Sequence, residues 1–253
     1  MSKVARIKKH LKLVISYEGT LFFGWQKNDA GPSIEEELEK TLFIILQEKP
    51  SLQAASRTDR GVHAYHQVVT FSTAKEIDFD KLKISLNQLL SKKIRVLSIE
   101  TVDPAFHPTL SAHSKTYEYH VSTQEVLSPF MHSYCWHYPV SCELALMEKA
   151  AKDLLGEKDF NGFTNFKKLP HKDTVREIFD IQIKQNGSDF IFYITGNHFL
   201  YKMVRNIVGT LCYIGSKKLP EDTIKRVLIS KKRADGGMTA PACGLFLKAI
   251  NYT

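Results

Sequence analysis

Cysteine is scarce in this chain, and what there is does not cluster. The 253 residues include four, Cys135, Cys142, Cys212 and Cys243. None forms C-x-x-C, and none pairs with histidine at zinc-ligand spacing. Such scattered thiols argue against a disulfide framework and are expected to be reduced, as in a cytosolic protein. Long apolar runs are also missing. No stretch approaches the ~20 apolar residues of a membrane span. The first apolar run, Leu11 to Ile15, is broken by Lys12 and is too short for the core of a signal peptide. Several catalytic signatures are absent. There is no P-loop, no G-x-G-x-x-G opening a helix and no H-E-x-x-H. No G-x-S-x-G elbow occurs, and the clustered carboxylates of a metal-dependent nuclease are lacking.

What remains is ordinary in composition but basic. Lys and Arg number 35 against 27 Asp and Glu, a formal charge of +8. That balance suits a polyanionic partner without proving one. Hydrophobic periodicity gives the layout. Strands are expected at 12–17, 52–57, 63–72, 94–102, 116–122 and 244–251. A hairpin is expected from 175–185 and 190–196, around Asn186-Gly187. Helices are expected at 33–47, 79–90, 142–155 and 200–214. Ser33 and Glu36 have capping-box spacing and set the start of the first. Asp103-Pro104 breaks the pattern, which puts a domain boundary near it, with domains 1–104 and 105–253. Strands follow strands through short turns. The expected class is therefore α+β: two similar domains with mostly antiparallel sheets flanked by helices.

Three constellations could carry chemistry. Arg57-Thr58-Asp59-Arg60-Gly61 sets one carboxylate between two guanidinium groups. An aspartate there is commonly a turn former. Nearby arginines would also keep it anionic, fit to act as a nucleophile or to stabilise positive charge. His63 and His66 add possible proton carriers. Lys115-Thr116-Tyr117-Glu118-Tyr119 reads first as good strand material, and second as a stacking platform for a nucleobase. In Tyr201 to Gly209, a helical wheel gives Leu200, Val204, Ile207, Val208 and Leu211 as the buried stripe. Arg205 falls on its shoulder. Such an arginine either lays its stem along apolar surface or aims at a buried acid.

Taken in order, these and further blocks resemble one family. They are Tyr17-Glu18-Gly19-Thr20, Phe23-Gly24-Trp25-Gln26, Arg57 to Ala64, Gln67-Val68, Phe106-His107, Lys115 to Tyr119, Met203 to Gly209 and Gly244 to Leu247. The set resembles the tRNA pseudouridine synthase A family over nearly the whole chain. The resemblance implies a pseudouridine synthase fold with an RNA-binding cleft between the domains. It implies isomerisation of uridine to pseudouridine in the anticodon arm of tRNA. It also implies a cytoplasmic homodimer and no cofactor, metal or membrane. Asp59 matches the catalytic aspartate, Tyr117 the tyrosine that packs on the target base, and Arg205 the arginine paired with the aspartate. Arg57, Arg60, His63 and Leu245 are carried over as substrate-binding. The sequence departs from the family pattern at Ser56 (usually Gly), Glu18 (usually Asp), Ser91-Lys92-Lys93 (usually a Pro-containing turn) and Thr109 (usually near an Arg). Lys8, Lys9, Lys167, Lys168, Lys231, Lys232 and Arg233 could compensate in gripping RNA. The competing reading is a non-catalytic RNA-binding protein on the same scaffold. An isolated acid paired with an arginine argues against it, since binding phosphates would not favour that acid.

Overall fold

The computed structural model describes residues 8–165 and 173–253 and divides them between two compact units. The first runs up to His113 and includes Ala249–Thr253; the second is Ser114–Lys248. In the first, β1 (Lys9–Tyr17) alternates strictly, with Leu11, Leu13, Ile15 and Tyr17 buried. That period of two gives it one core face. α1 (Ile34–Leu46) starts where Ser33 Oγ accepts the Glu36 N–H at 3.2 Å. It ends at Gln47, whose left-handed backbone turns the chain out (φ 51°). β2 (Gln53–Ala54), β3 (His63–Thr73), α2 (Phe79–Leu89) and β4 (Ile94–Val102) follow. The sheet order is β4-β1-β3, with β2 on the far side of β3, all antiparallel. Leu38 and Leu42 of α1 and Leu86 of α2 are fully buried.

The strand expected over 52–57 is cut to two residues. The physical reason lies in Gln67. Its Oε1 accepts the Ser56 N–H at 3.2 Å, and its Nε2 donates to the Ser56 carbonyl at 2.6 Å. A side chain thus takes over the backbone groups that a longer ladder would have paired. The chain is free to leave the sheet at Ser56 without leaving them unsatisfied.

The second unit contains β5 (Ser114–Ser122), β6 (Trp136–His137), α3 (Leu144–Ala151), β7 (Gly156–Asp159), β8 (Val175–Asn186) and β9 (Asp189–Gly196). Then come α4 (Met203–Gly215), α5 (Thr223–Ser230) and β10 (Leu245–Asn251), whose residues up to Lys248 belong here. The order is β10-β5-β9-β8-β7, with β6 running parallel to β5. The architecture is α+β with mostly antiparallel pairing, as expected. The β8–β9 turn sits one residue later than the sequence suggested. Asn186 pairs with Asp189, so Gly187 and Ser188 are the loop. Gly187 takes the positive φ (58°) at the first central position, the type II′ choice. The helix expected over 142–155 is shorter. The Glu143 N–H donates to the Gly215 carbonyl at 2.9 Å, which holds the entry outside the helix. The exit tightens into a 3-10 turn over Lys152–Leu154.

α4 differs most from its expected form. Leu200 and Tyr201 lie in a turn before it, and Lys202 enters it with φ 59°. Its buried surface is no stripe: Asn206, Gly209 and Thr210 are buried along with the apolar residues. The segment 236–240 covers the side that a wheel would leave to water. The Gly237 N–H donates to Thr210 Oγ1 at 3.0 Å, and the Ala240 N–H to the Arg205 carbonyl at 3.1 Å. At Gly209 the approach is backbone to backbone, since a Cβ there would lie 1.8 Å from the Met238 carbonyl oxygen. Helix propensity alone favours Ala over Gly by ~1 kcal/mol. Overpacking of a core typically costs ~1–3 kcal/mol, and a backbone neighbour cannot swing away. Gly209→Ala is therefore expected to destabilise, read as a lower denaturant midpoint. An unchanged or raised midpoint would contradict this packing.

Candidate active site

The Asp59 loop is built from its backbone outward. Asp59 to Val62 form a turn in which the Val62 N–H donates to the Asp59 carbonyl at 3.1 Å. Gly61, with φ 77°, holds the position that a type II turn reserves for glycine. The aromatic segment after β1 lies against this turn. The Trp25 N–H donates to the Thr58 carbonyl at 3.0 Å, and the Gly61 N–H to the Phe22 carbonyl at 3.3 Å. Gly24 (φ 96°) permits the contact, because a Cβ would lie 2.7 Å from the Thr58 oxygen. Tyr17 Oη and Thr58 Oγ1 share a buried hydrogen bond of 2.8 Å. Asp59 is thus half-buried on a loop whose peptide groups are pinned from three sides.

The flanking arginines lie at the surface, both exposed. The Arg60 guanidinium lies over the Phe23 ring, 4.0 Å from its centroid. Stacking on an aromatic face is a good use of a planar cation at the surface. His63 is 1% exposed and bonded to backbone, with its Nδ1 accepting the Gly19 N–H at 3.1 Å.

The other three site residues stand in the second unit. Tyr117 and Tyr119 share a face of β5 but differ in role. Tyr119 is fully buried and donates to the Pro241 carbonyl at 2.6 Å. Tyr117 keeps 7% exposure and meets Phe199 edge-on at 5.1 Å. Leu245 opens β10, 6% exposed. Arg205 is half-buried near the start of α4. Its Nε donates to the Ala240 carbonyl at 2.7 Å, which fixes the stem and aims the two terminal nitrogens. Behind it Asn206 donates to the Phe163 carbonyl at 2.6 Å and to Asn165 Oδ1 at 2.7 Å, and accepts from Thr239 Oγ1 at 2.6 Å. Asn206, Gln67 and Thr58 lie within the family blocks but had no role expected from sequence. Each is a polar residue in an otherwise apolar or strand-like run, and that was the available signal.

A profile of the tRNA pseudouridine synthase family matches residues 13–109 and 150–253. The chain belongs to that family. It is 46% identical over 252 residues to tRNA pseudouridine synthase A 2 of Protochlamydia amoebophila, covering 98% of this chain and 96% of that one. It is 42% identical to tRNA pseudouridine synthase A of Streptococcus thermophilus, covering 95% and 98%. To the protein of that name from Thermoanaerobacter sp. it is 39% identical, covering 96% and 100%.

Against the family pattern, the departures acquire local explanations. Glu18 pairs with Lys93 Nζ, and its backbone N–H donates to the Lys93 carbonyl at 2.9 Å, so two of the departures meet. Thr109 Oγ1 donates to the Ala54 carbonyl at 2.9 Å, which ties its segment to β2. Of the basic groups, Lys9 pairs with Glu76 and Lys231 with Asp159. Arg233 donates to the Gly237 carbonyl at 2.6 Å. Lys8 and Lys232 are exposed, and Lys167 and Lys168 lie outside the described residues. Among the described residues no group of three His, Cys, Asp or Glu side chains could hold a metal, and no helix is long and apolar enough to cross a membrane. All four cysteines are free thiols.

Lys115, two residues before Tyr117, is 5% exposed, with Nζ 3.5 Å from His198 Nδ1. Burial, with Arg176 adding to it, brings its ammonium down to about 8. Burial, with Lys115 and Arg176 adding to it, also holds His198 below the usual imidazole range. A lysine depressed in the folded state binds fewer protons there than in the unfolded chain. Stability then rises with pH between the two values. Wild type is expected to gain stability relative to Lys115→Met as pH rises from about 8 towards the ordinary lysine value near 10.5. Parallel thermal-melt profiles of the two proteins would refute this.

Proposed function

We propose that this protein isomerises uridine to pseudouridine in the anticodon arm of tRNA, with Asp59 as the catalytic carboxylate. The observation that carries the reading is the immobilised Asp59 loop in a chain of this family. The reaction breaks the N1–C1′ bond, turns the uracil and joins C5 to C1′. C5 loses a proton and N1 gains one, so no net redox change occurs. A carboxylate held near C1′ serves this chemistry, whether it attacks the sugar or assists elimination. A loop pinned through its backbone keeps the acid in reacting geometry without help from the substrate. The target base must leave its stack to be reached. Tyr117, rigid in β5 and braced by Phe199, would hold the uracil face. Arg205, its Nε already committed, would supply the counter-charge that keeps Asp59 ionised. Arg57, exposed on the loop, is suited to the extruded nucleotide's backbone, with Arg60 and Leu245 as neighbours of the substrate; His63, 1% exposed, is too enclosed for the substrate contact expected of it. No cofactor is required. The same reading makes the enzyme a cytoplasmic homodimer in which both subunits contact one tRNA, expected as a dimer mass by light scattering.

Asp59→Asn keeps the size and removes the charge. It is expected to abolish pseudouridine formation on unmodified tRNA, while affinity stays within about tenfold, ~1.4 kcal/mol. Substantial turnover by this variant would remove Asp59 from the mechanism. Binding without turnover by the wild type would favour the non-catalytic alternative.

The two arginines separate by pH. Breaking a buried ion pair typically costs ~3–5 kcal/mol. With Arg205 as counter-ion, Arg205→Ala lowers thermal stability and moves the acid limb of the pH–rate profile upward. Arg57→Ala leaves both nearly unchanged and slows paired uridines more than unpaired ones, because pairing adds to the cost of extrusion. A shifted limb in Arg57→Ala alone would reverse the two roles.

A further inference from the structure

His63 opens β3 directly after the Asp59 loop, fully enclosed. Its Nδ1 accepts the Gly19 N–H at 3.1 Å. Accepting at Nδ1 requires that nitrogen to carry no proton, which is the neutral tautomer with its hydrogen on Nε2. Gly19 cannot retreat from this contact alone. A Cβ on it would lie 2.0 Å from the Val62 carbonyl oxygen, so the two backbones already touch beside the ring. His63 therefore joins the turn after β1 to the end of the Asp59 loop.

Charged and titratable groups from three segments lie close to the ring in space or in sequence. Glu18 Oε1 lies 4.0 Å from Nδ1 and accepts the Thr20 N–H at 3.0 Å. Lys93, in the turn before β4, pairs with the other Glu18 oxygen. Burial raises the Glu18 carboxyl, but the Lys93 and Thr20 bonds outweigh it and hold the group below its usual value. Tyr17 ends β1 with its hydroxyl on Thr58. Asp59 and Arg60 precede the ring on its own loop.

We propose that His63 is a positioning residue that holds the Asp59 loop through the Gly19 amide, and that Lys93, by pairing with Glu18, keeps that carboxylate from drawing a proton onto the ring. The proposal rests on Asp59 being the catalytic carboxylate. Protonation would put N–H on Nδ1, facing the Gly19 N–H donor, and the contact would open. Glu18 by itself would favour that protonation, since a carboxylate stabilises the imidazolium. Lys93 offsets the pull by neutralising the carboxylate. The two partners therefore act on the ring in opposite senses, which inert packing would not produce.

The test follows the His63 ring in imidazole-labelled protein by nitrogen NMR, between about pH 5 and 8. The expected wild-type state at neutral pH is the Nε2–H tautomer. Lys93→Met is expected to raise the His63 titration midpoint and Glu18→Gln to lower it. The acid limb of kcat should follow the midpoint in each. His63→Phe, which keeps a ring of similar bulk, is expected to lower kcat by about 10- to 100-fold through a misplaced loop, with tRNA affinity little changed. An Nδ1–H tautomer, midpoints that move together or not at all, or an acid limb that ignores them would overturn the proposal. If the wild type formed no pseudouridine, the assigned reaction would fail, while the tautomer and the opposed midpoints would still be read directly.

Discussion

An irregular loop near a protein core has no ladder to satisfy its peptide groups, so other groups must do it. In this chain that constraint organises the first unit. Gln67 holds Ser56 by both of its amide atoms, Trp25 and Phe22 exchange backbone bonds with Thr58 and Gly61, and Tyr17 caps the Thr58 hydroxyl. Asp59 owes its position to these neighbours. Its flanking arginines are exposed, and Arg60 lies over an aromatic ring. The result is a rigid acid on a loop, a placement usually reserved for residues on strands and helices.

The second unit reaches rigidity by another route. α4 is enclosed almost all round, and the helix buries polar residues to do so. Asn206 satisfies three partners in the second unit, and Thr210 receives the Gly237 amide. A fully paired polar network in a core costs little and specifies one arrangement. Arg205 inherits that precision, because its backbone and its Nε both bond to Ala240. Gly209 permits the approach that brings the covering segment close enough for those bonds.

Strong local signals were legible in the sequence. The bounds of β4 could be read from alternation, and the start of α1 from Ser33. The Asp59 loop, Tyr117 and Arg205 stood out by residue type and order. The expected strand over 52–57 is shortened to Gln53–Ala54, since a side chain eleven residues beyond Ser56 captured the backbone. The expected stripe on α4 is buried at Val204, Ile207, Val208 and Leu211, but burial extends past it because the segment that covers its other side is distant in the chain. Neither competitor leaves a periodic trace.

Sequence by itself determined the α+β layout and the family, and singled out the candidate acid and its companions, because those readings depend on residue order and local periodicity. Tertiary structure alone decided which polar groups satisfy which backbone, and therefore where strands stop and how far α4 is buried. Those outcomes depend on which donors and acceptors meet after folding, and each buried group accepts whichever partner the packing brings within reach.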